Sequence, residues 1–91
     1  MALKEIRKLY GALVESSFNI VPVGQFHIQD IYRKVKGNYP TLCDDQYLCA
    51  NNCSSGHNQP EWKHAVRRAL YELKRIGSRV SKGQINYWIF N

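Results

Sequence analysis

Ninety-one residues leave room for one core, because a second would bury too little apolar area to offset the entropy of ordering it. Hydrophobic residues make up 44% of the chain, too many for a disordered tail, and no apolar run reaches the roughly 18 residues of a membrane span. The net charge of +6 excludes an acidic or neutral surface and sits almost wholly in the last third. Residues 1–59 hold six Lys and Arg against five carboxylates, whereas residues 60–91 hold seven against two. Positive charge so concentrated suits a polyanion, with nucleic acid the first candidate, and the plain alternative is a solvated basic face.

The N-terminal MALKEIRKLYGALVESS carries charge throughout its apolar pattern, unlike a secretory signal, so a cytoplasmic location is expected. Leu3, Ile6, Tyr10, Leu13 and Val14 fall on one stripe of an amphipathic helix over residues 3–16. Residues 19–24, with Pro22 and Gly24, read as an extended connector. Phe26 follows as a short strand or a core plug. Ile28, Ile31, Tyr32 and Val35 then repeat the helical stripe over 28–36, with Asp30 at the positive end of the dipole and Gly37 as the stop.

A polar loop over 37–59 gathers every cysteine of the chain. Cys43, Cys49, Cys53 and His57 have the spacing C-x5-C-x3-C-x3-H, with His64 as a spare ligand. Three thiolates and an imidazole make a tetrahedral set for a structural zinc, and a loop this long needs something to tie it down. The C-x2-C hook common in such sites is absent, so a loop of reduced thiols, with Leu42 and Cys43 tucked under the core, stands as the other reading.

Pro60 is expected at the first position of a third helix, 60–76, with Asn58 or Gln59 as its cap. Trp62, Val66, Ala69, Leu70, Leu73 and Ile76 form its apolar stripe, and Gly77 closes it. A hairpin over residues 79–90 follows, its turn placed at 81–84. Alternation sets Ile85, Tyr87 and Ile89 on one face and Gln84, Asn86 and Trp88 on the other, leaving the role of Trp88 open. Three helices around one core with a C-terminal two-stranded wing make a mainly α, α+β domain of the winged helix-turn-helix type spanning 1–91.

In that arrangement the third helix enters the major groove of double-stranded DNA. Asn58, Gln59, Glu61, Lys63, His64, Arg67 and Arg68 stand at its start, and their amides, cations and carboxylate can pair with base edges. Lys74, Arg75, Arg79 and Lys82 suit phosphates, and Tyr71 falls on the same basic side. Trp62 reads as core rather than as a base contact. RNA ranks lower, because Tyr71 is the main aromatic on that side.

Three segments, FHIQDIY, PEWKHAVRRALYELKRIG and KGQINYWIF, resemble the winged-helix domains joined to restriction endonucleases, in particular the C-terminal domain of the Dpn-type methyl-directed enzymes. Gln29, Asp30, Ile31, Tyr32, Arg67, Arg68, Leu70, Leu73, Gly77, Gly83 and Tyr87 occupy matching places, over residues 25–90. The resemblance implies recognition of a DNA target, with or without modified bases, on behalf of a nuclease domain or subunit. The lengthened loop departs from that pattern, so no base contact is carried over.

Catalysis by the chain itself is not expected. Glu61 and Lys63, with Asp44 or Asp45, have the residue types of a metal-dependent nuclease, but those sites sit on adjacent strands and not at a helix start. No basic neighbour activates a cysteine, and no phosphate-binding glycine loop occurs. A stand-alone transcriptional regulator and a winged-helix module for protein interaction are the rival functions.

Overall fold

A computed structural model describes residues 2–48 and 59–91. The elements run α1 (Ala2–Glu15), β1 (Gly24–His27), α2 (Ile28–Asn38), α3 (Glu61–Ile76), β2 (Val80–Lys82) and β3 (Tyr87–Phe90). Among the described residues three helices and a three-stranded antiparallel sheet of order β1-β3-β2 make a small α+β domain. Among the described residues no helix is long and apolar enough to cross a membrane.

The core is built from one stripe on each helix. Ile6, Leu9 and Leu13 of α1 are buried, at the i, i+3, i+7 spacing that aligns side chains on one face, while Tyr10 and Val14 lie at the margin. The helix ends where Ser17 and Phe18 both take left-handed backbone angles (φ 53° and 54°). That reversal drives Phe18 into the core, with its ring centroid 5.8 Å from that of Phe90, and Val21 follows it inside. The connector predicted as extended is therefore a turn that plugs the core.

Strand β1 runs into α2 without a loop. His27 is the cap, its Nδ1 accepting the Gln29 N–H at 3.1 Å, and this satisfies one donor of the first turn. Ile28, Ile31, Tyr32 and Val35 are buried as expected. The helix passes the predicted stop at Gly37 and ends after Asn38, with Tyr39 N–H donating to Val35 O at 2.8 Å. Glycine is permitted inside a helix, and nothing at Gly37 requires a left-handed residue there.

Helix α3 crosses the centre, burying Trp62, Ala65, Val66, Ala69, Leu70 and Leu73. Pro60 proves to be its cap, not its first turn, because its ψ of 135° lies outside the helical region. Pro60 offers no side-chain cap; Glu61 N–H donates to Tyr47 O at 2.8 Å. Ile76, predicted as the last core position, is exposed. Gly77 closes the helix with φ 72°, and Ser78 N–H reaches back to Leu73 O at 2.9 Å.

The expected two-stranded wing is part of a larger sheet. Strand β1 pairs with the other edge of β3, Phe26 opposite Trp88 and Gly24 opposite Phe90, while β2 pairs Val80 with Phe90 and Lys82 with Trp88. The hairpin turn lies at residues 83–86, two positions later than predicted, and Asn86 is left-handed (φ 67°). Trp88 and Phe90 point inward, which settles Trp88 as core at 3% exposure.

Candidate nucleic-acid interface

A groove of about 670 Å³ opens between the start of α2, the outer face of α3 and the β2–β3 hairpin. Helix α3 contributes His64, Arg67, Arg68 and Tyr71; the hairpin contributes Lys82, Ile85 and Asn86. Gln29 and Tyr32 of α2 also line it, as does Gln59. Among the described residues lining the groove there is no carboxylate. Asp30–Arg33, Asp45–Lys36 and Glu72–Arg75 form ion pairs elsewhere on the surface.

Helical spacing explains the grouping. The buried stripe of α3 turns residues 64, 67, 68 and 71 together to the opposite side, because three- and four-residue steps share a face. Arg67 Nη2 lies 3.5 Å from His64 Nδ1. Partial burial holds the His64 imidazole below its ordinary pKa, and the positive charge of Arg67 pushes the same way. Burial also raises the Tyr32 phenol, a shift that Arg67 opposes. Tyr71 stands exposed with its ring edge-on to Trp88, centroids 4.9 Å apart. The hairpin is thereby seated against α3 through an aromatic pair.

The remaining predicted contacts divide. Lys63 leans toward α2, its Nζ 5.2 Å from the Tyr32 ring centroid and 5.7 Å from that of Trp62, outside the groove. Glu61 begins the helix and also lies outside the lining. Lys74 and Arg75 are exposed on the last turn, and Arg75 is held by both carboxylate oxygens of Glu72 at 3.1 and 2.6 Å. Lys82 Nζ sits 5.3 Å from the Trp88 centroid and donates to Gln84 O at 2.9 Å. Asn58 lies outside the described residues.

Arg79 corrects the sequence reading. Its guanidinium donates to Ser17 O at 3.1 Å, Phe18 O at 2.6 Å, Val21 O, and through Nε to Asn91 O at 3.2 Å. It also covers the Phe90 ring at 5.4 Å. A donor fork spent on four carbonyls is a clamp on the α1–β1 turn and has little left for a phosphate.

Sequence reasoning missed Gln29, Tyr32, Ile85 and Asn86, which reach the groove from elements assigned to the core or the turn. It also missed that Arg68 continues the basic surface onto α1. The guanidinium stands 5.7 Å over the Tyr10 ring and shares a notch of about 350 Å³ with Arg7 and Tyr10. The positions of Arg7 and Tyr10 on the flank of the first helix were the available signal.

Of the proposed zinc ligands, Cys49, Cys53 and His57 lie outside the described residues. Cys43 is packed in the core with Leu42 beside it, and burial pushes its thiol up to about 11, an environment that disfavours a thiolate ligand. Among the described residues no group of three His, Cys, Asp or Glu could hold a metal ion. The described start of the long connection is tied down by other means. Asp45 Oδ1 accepts the Trp62 indole N–H at 2.8 Å while Oδ2 pairs with Lys36. The Lys36 hydrogen bond, and after it the Trp62 one, hold the Asp45 carboxyl below its ordinary range. Leu48 bridges to Pro60, so this segment is fastened to the start of α3. Asp45 and Lys63, two members of the nuclease-like residue set, both border a small notch on this side.

No protein-family model, curated protein or solved structure matches the chain.

Proposed function

We propose that the chain is a winged-helix module that binds double-stranded DNA through α3 and the β2–β3 hairpin. The observation that carries this reading is the groove between those two elements, lined by Arg67, Arg68, Lys82 and His64 with no carboxylate among its described lining residues. Cations there favour phosphates, while Gln59, Gln29 and Asn86 supply amides of the kind that read base edges. The order α1, β1, α2, α3, β2, β3 supports the winged-helix assignment. The finer role, recognition of a target or a modified base for a restriction nuclease, follows from the resemblance over residues 25–90.

Duplex binding by fluorescence anisotropy across a salt series tests the reading. Phosphate contacts from Arg68 and Lys82 give a slope of about −1.8 in log affinity against log salt, or roughly 12-fold between about 50 and 200 mM. Absence of duplex binding with that salt slope would favour the rival reading, a winged-helix module whose charge serves an acidic protein partner. Arg67→Ala is expected to relax sequence choice and Lys82→Ala to weaken all duplexes alike; methylated and unmethylated duplexes run side by side address modification. Sedimentation with a footprint length separates a single recognition unit from a regulator that dimerises on two half-sites.

A further inference from the structure

We propose that the β2–β3 hairpin enters the minor groove of the bound duplex and that Ile85 wedges between two base pairs there, kinking the DNA. The inference rests on the duplex-binding reading of the α3 groove. Ile85 is 83% exposed, more than any other large hydrophobic residue among those described, and it stands in the turn between Gln84 and Asn86, both exposed. A single exposed aliphatic side chain is ordinary on a protein surface. This one differs in its position and its support.

The position is the hairpin wall of the cation-lined groove, which Ile85 shares with Lys82. An α-helix fills the major groove, so a hairpin beside it meets a neighbouring minor groove, roughly half as wide. A tight turn fits that width. The support is a turn whose backbone is already committed. Asn86 O accepts the Ile28 N–H at 2.7 Å, rooting the tip in α2. Gln84 O accepts from Tyr87 N–H and from Lys82 Nζ, both at 2.9 Å, and Gly83 N–H donates to Tyr87 O at 3.0 Å. Asn86 holds a left-handed angle that asparagine tolerates well. Those carbonyls being occupied, the amides of Gln84 and Asn86 remain to donate to the acceptors on the floor of an A·T minor groove. The β-branched Ile85 has few rotamers to lose on insertion. Apolar side chains on such a mount part a base step at the cost of stacking and gain a bent duplex that wraps more protein.

The test uses the full chain and a duplex selected from a random pool by binding. Anisotropy reads binding; end-attached dyes read bending; 2-aminopurine placed at successive steps reads unstacking. The parent chain should shorten the end-to-end distance by the equivalent of a kink of about 20–90° and brighten 2-aminopurine at one step. Ile85→Ala should bind within about tenfold of the parent, an estimate for one lost apolar contact, yet lose both signals. Ile85→Leu should keep them. Tight binding by the parent with a straight duplex, or an undiminished kink with Ile85→Ala, overturns the wedge and leaves duplex binding standing. A fall in the thermal midpoint of Ile85→Ala would assign the residue to packing and also overturn it. No binding to any duplex removes the parent reading, and the wedge with it.

Discussion

Replacing Arg79 by alanine separates a structural arginine from a DNA-contacting one. The guanidinium serves four carbonyls, on Ser17, Phe18, Val21 and Asn91. Hydrogen bonds from a charged donor contribute about 1.5–3 kcal/mol each when counted singly. These share one fork, and one of the four acceptors, Asn91 O, is exposed, so the expected loss is about 2–4 kcal/mol rather than the sum. In a domain of this size that lowers the melting midpoint by about 10–25 °C. Urea unfolding followed by circular dichroism measures it, with duplex affinity and its salt slope recorded below the transition. Arg79→Gly adds an internal control. The residue sits at φ 69°, which costs a side-chain-bearing residue roughly 1–2 kcal/mol, so glycine should recover up to about 1 kcal/mol relative to alanine. The reasoning is refuted if Arg79→Ala unfolds within about 0.5 kcal/mol of the parent while its salt slope falls by about 0.9, the mark of one lost phosphate contact.

Two further outcomes follow from ionisation. Burial raises the Cys43 thiol to about 11, above the roughly 8.5 of an unfolded cysteine, so its contribution is fully present below about pH 8.5 and is lost as pH rises through the folded value. The stability gap between the parent and Cys43→Ala should therefore narrow between about pH 8.5 and 11, and a gap that widens would contradict the burial. In a Cys49→Ser, Cys53→Ser background Cys43 should resist iodoacetamide at pH 8 until urea unfolds the chain. For His64, burial and Arg67 hold the imidazole below 6.5, whereas phosphates favour its charged form. Duplex binding then takes up a proton, and affinity should rise as pH falls from about 7.5 to 5.5. His64→Gln should flatten that rise, and a pH profile indifferent to the substitution would remove His64 from the interface.

The helices were legible because their apolar positions recur at helical spacing: Ile28, Ile31, Tyr32 and Val35, and Trp62 through Leu73, occupy the core as expected. The basic flank of α3 was legible for the same reason, since residues that share a face with no apolar member must face outward. Long-range pairing left no such trace. Arg79 meets carbonyls about sixty positions earlier, and only the left-handed backbone at Ser17 and Phe18 turns those carbonyls toward it. Alternation counted from Ile85 could not tell which face is buried, because the strand begins at Tyr87 and Asn86 resets the direction. Strand β1 is four residues long, and its pairing with β3 depends on the whole fold. Ile85 and Asn86 reach the groove only because the turn is folded over it.

The middle strand of the sheet, β3, follows both of its neighbours in sequence. On a ribosome, α1, α2 and α3 can pack as soon as residue 76 is clear, but β1 and β2 have no ladder until residues 87–90 emerge between them. Assembly of the helices therefore precedes closure of the sheet, and during that interval the sites later covered by Trp88 and Phe90 stand open.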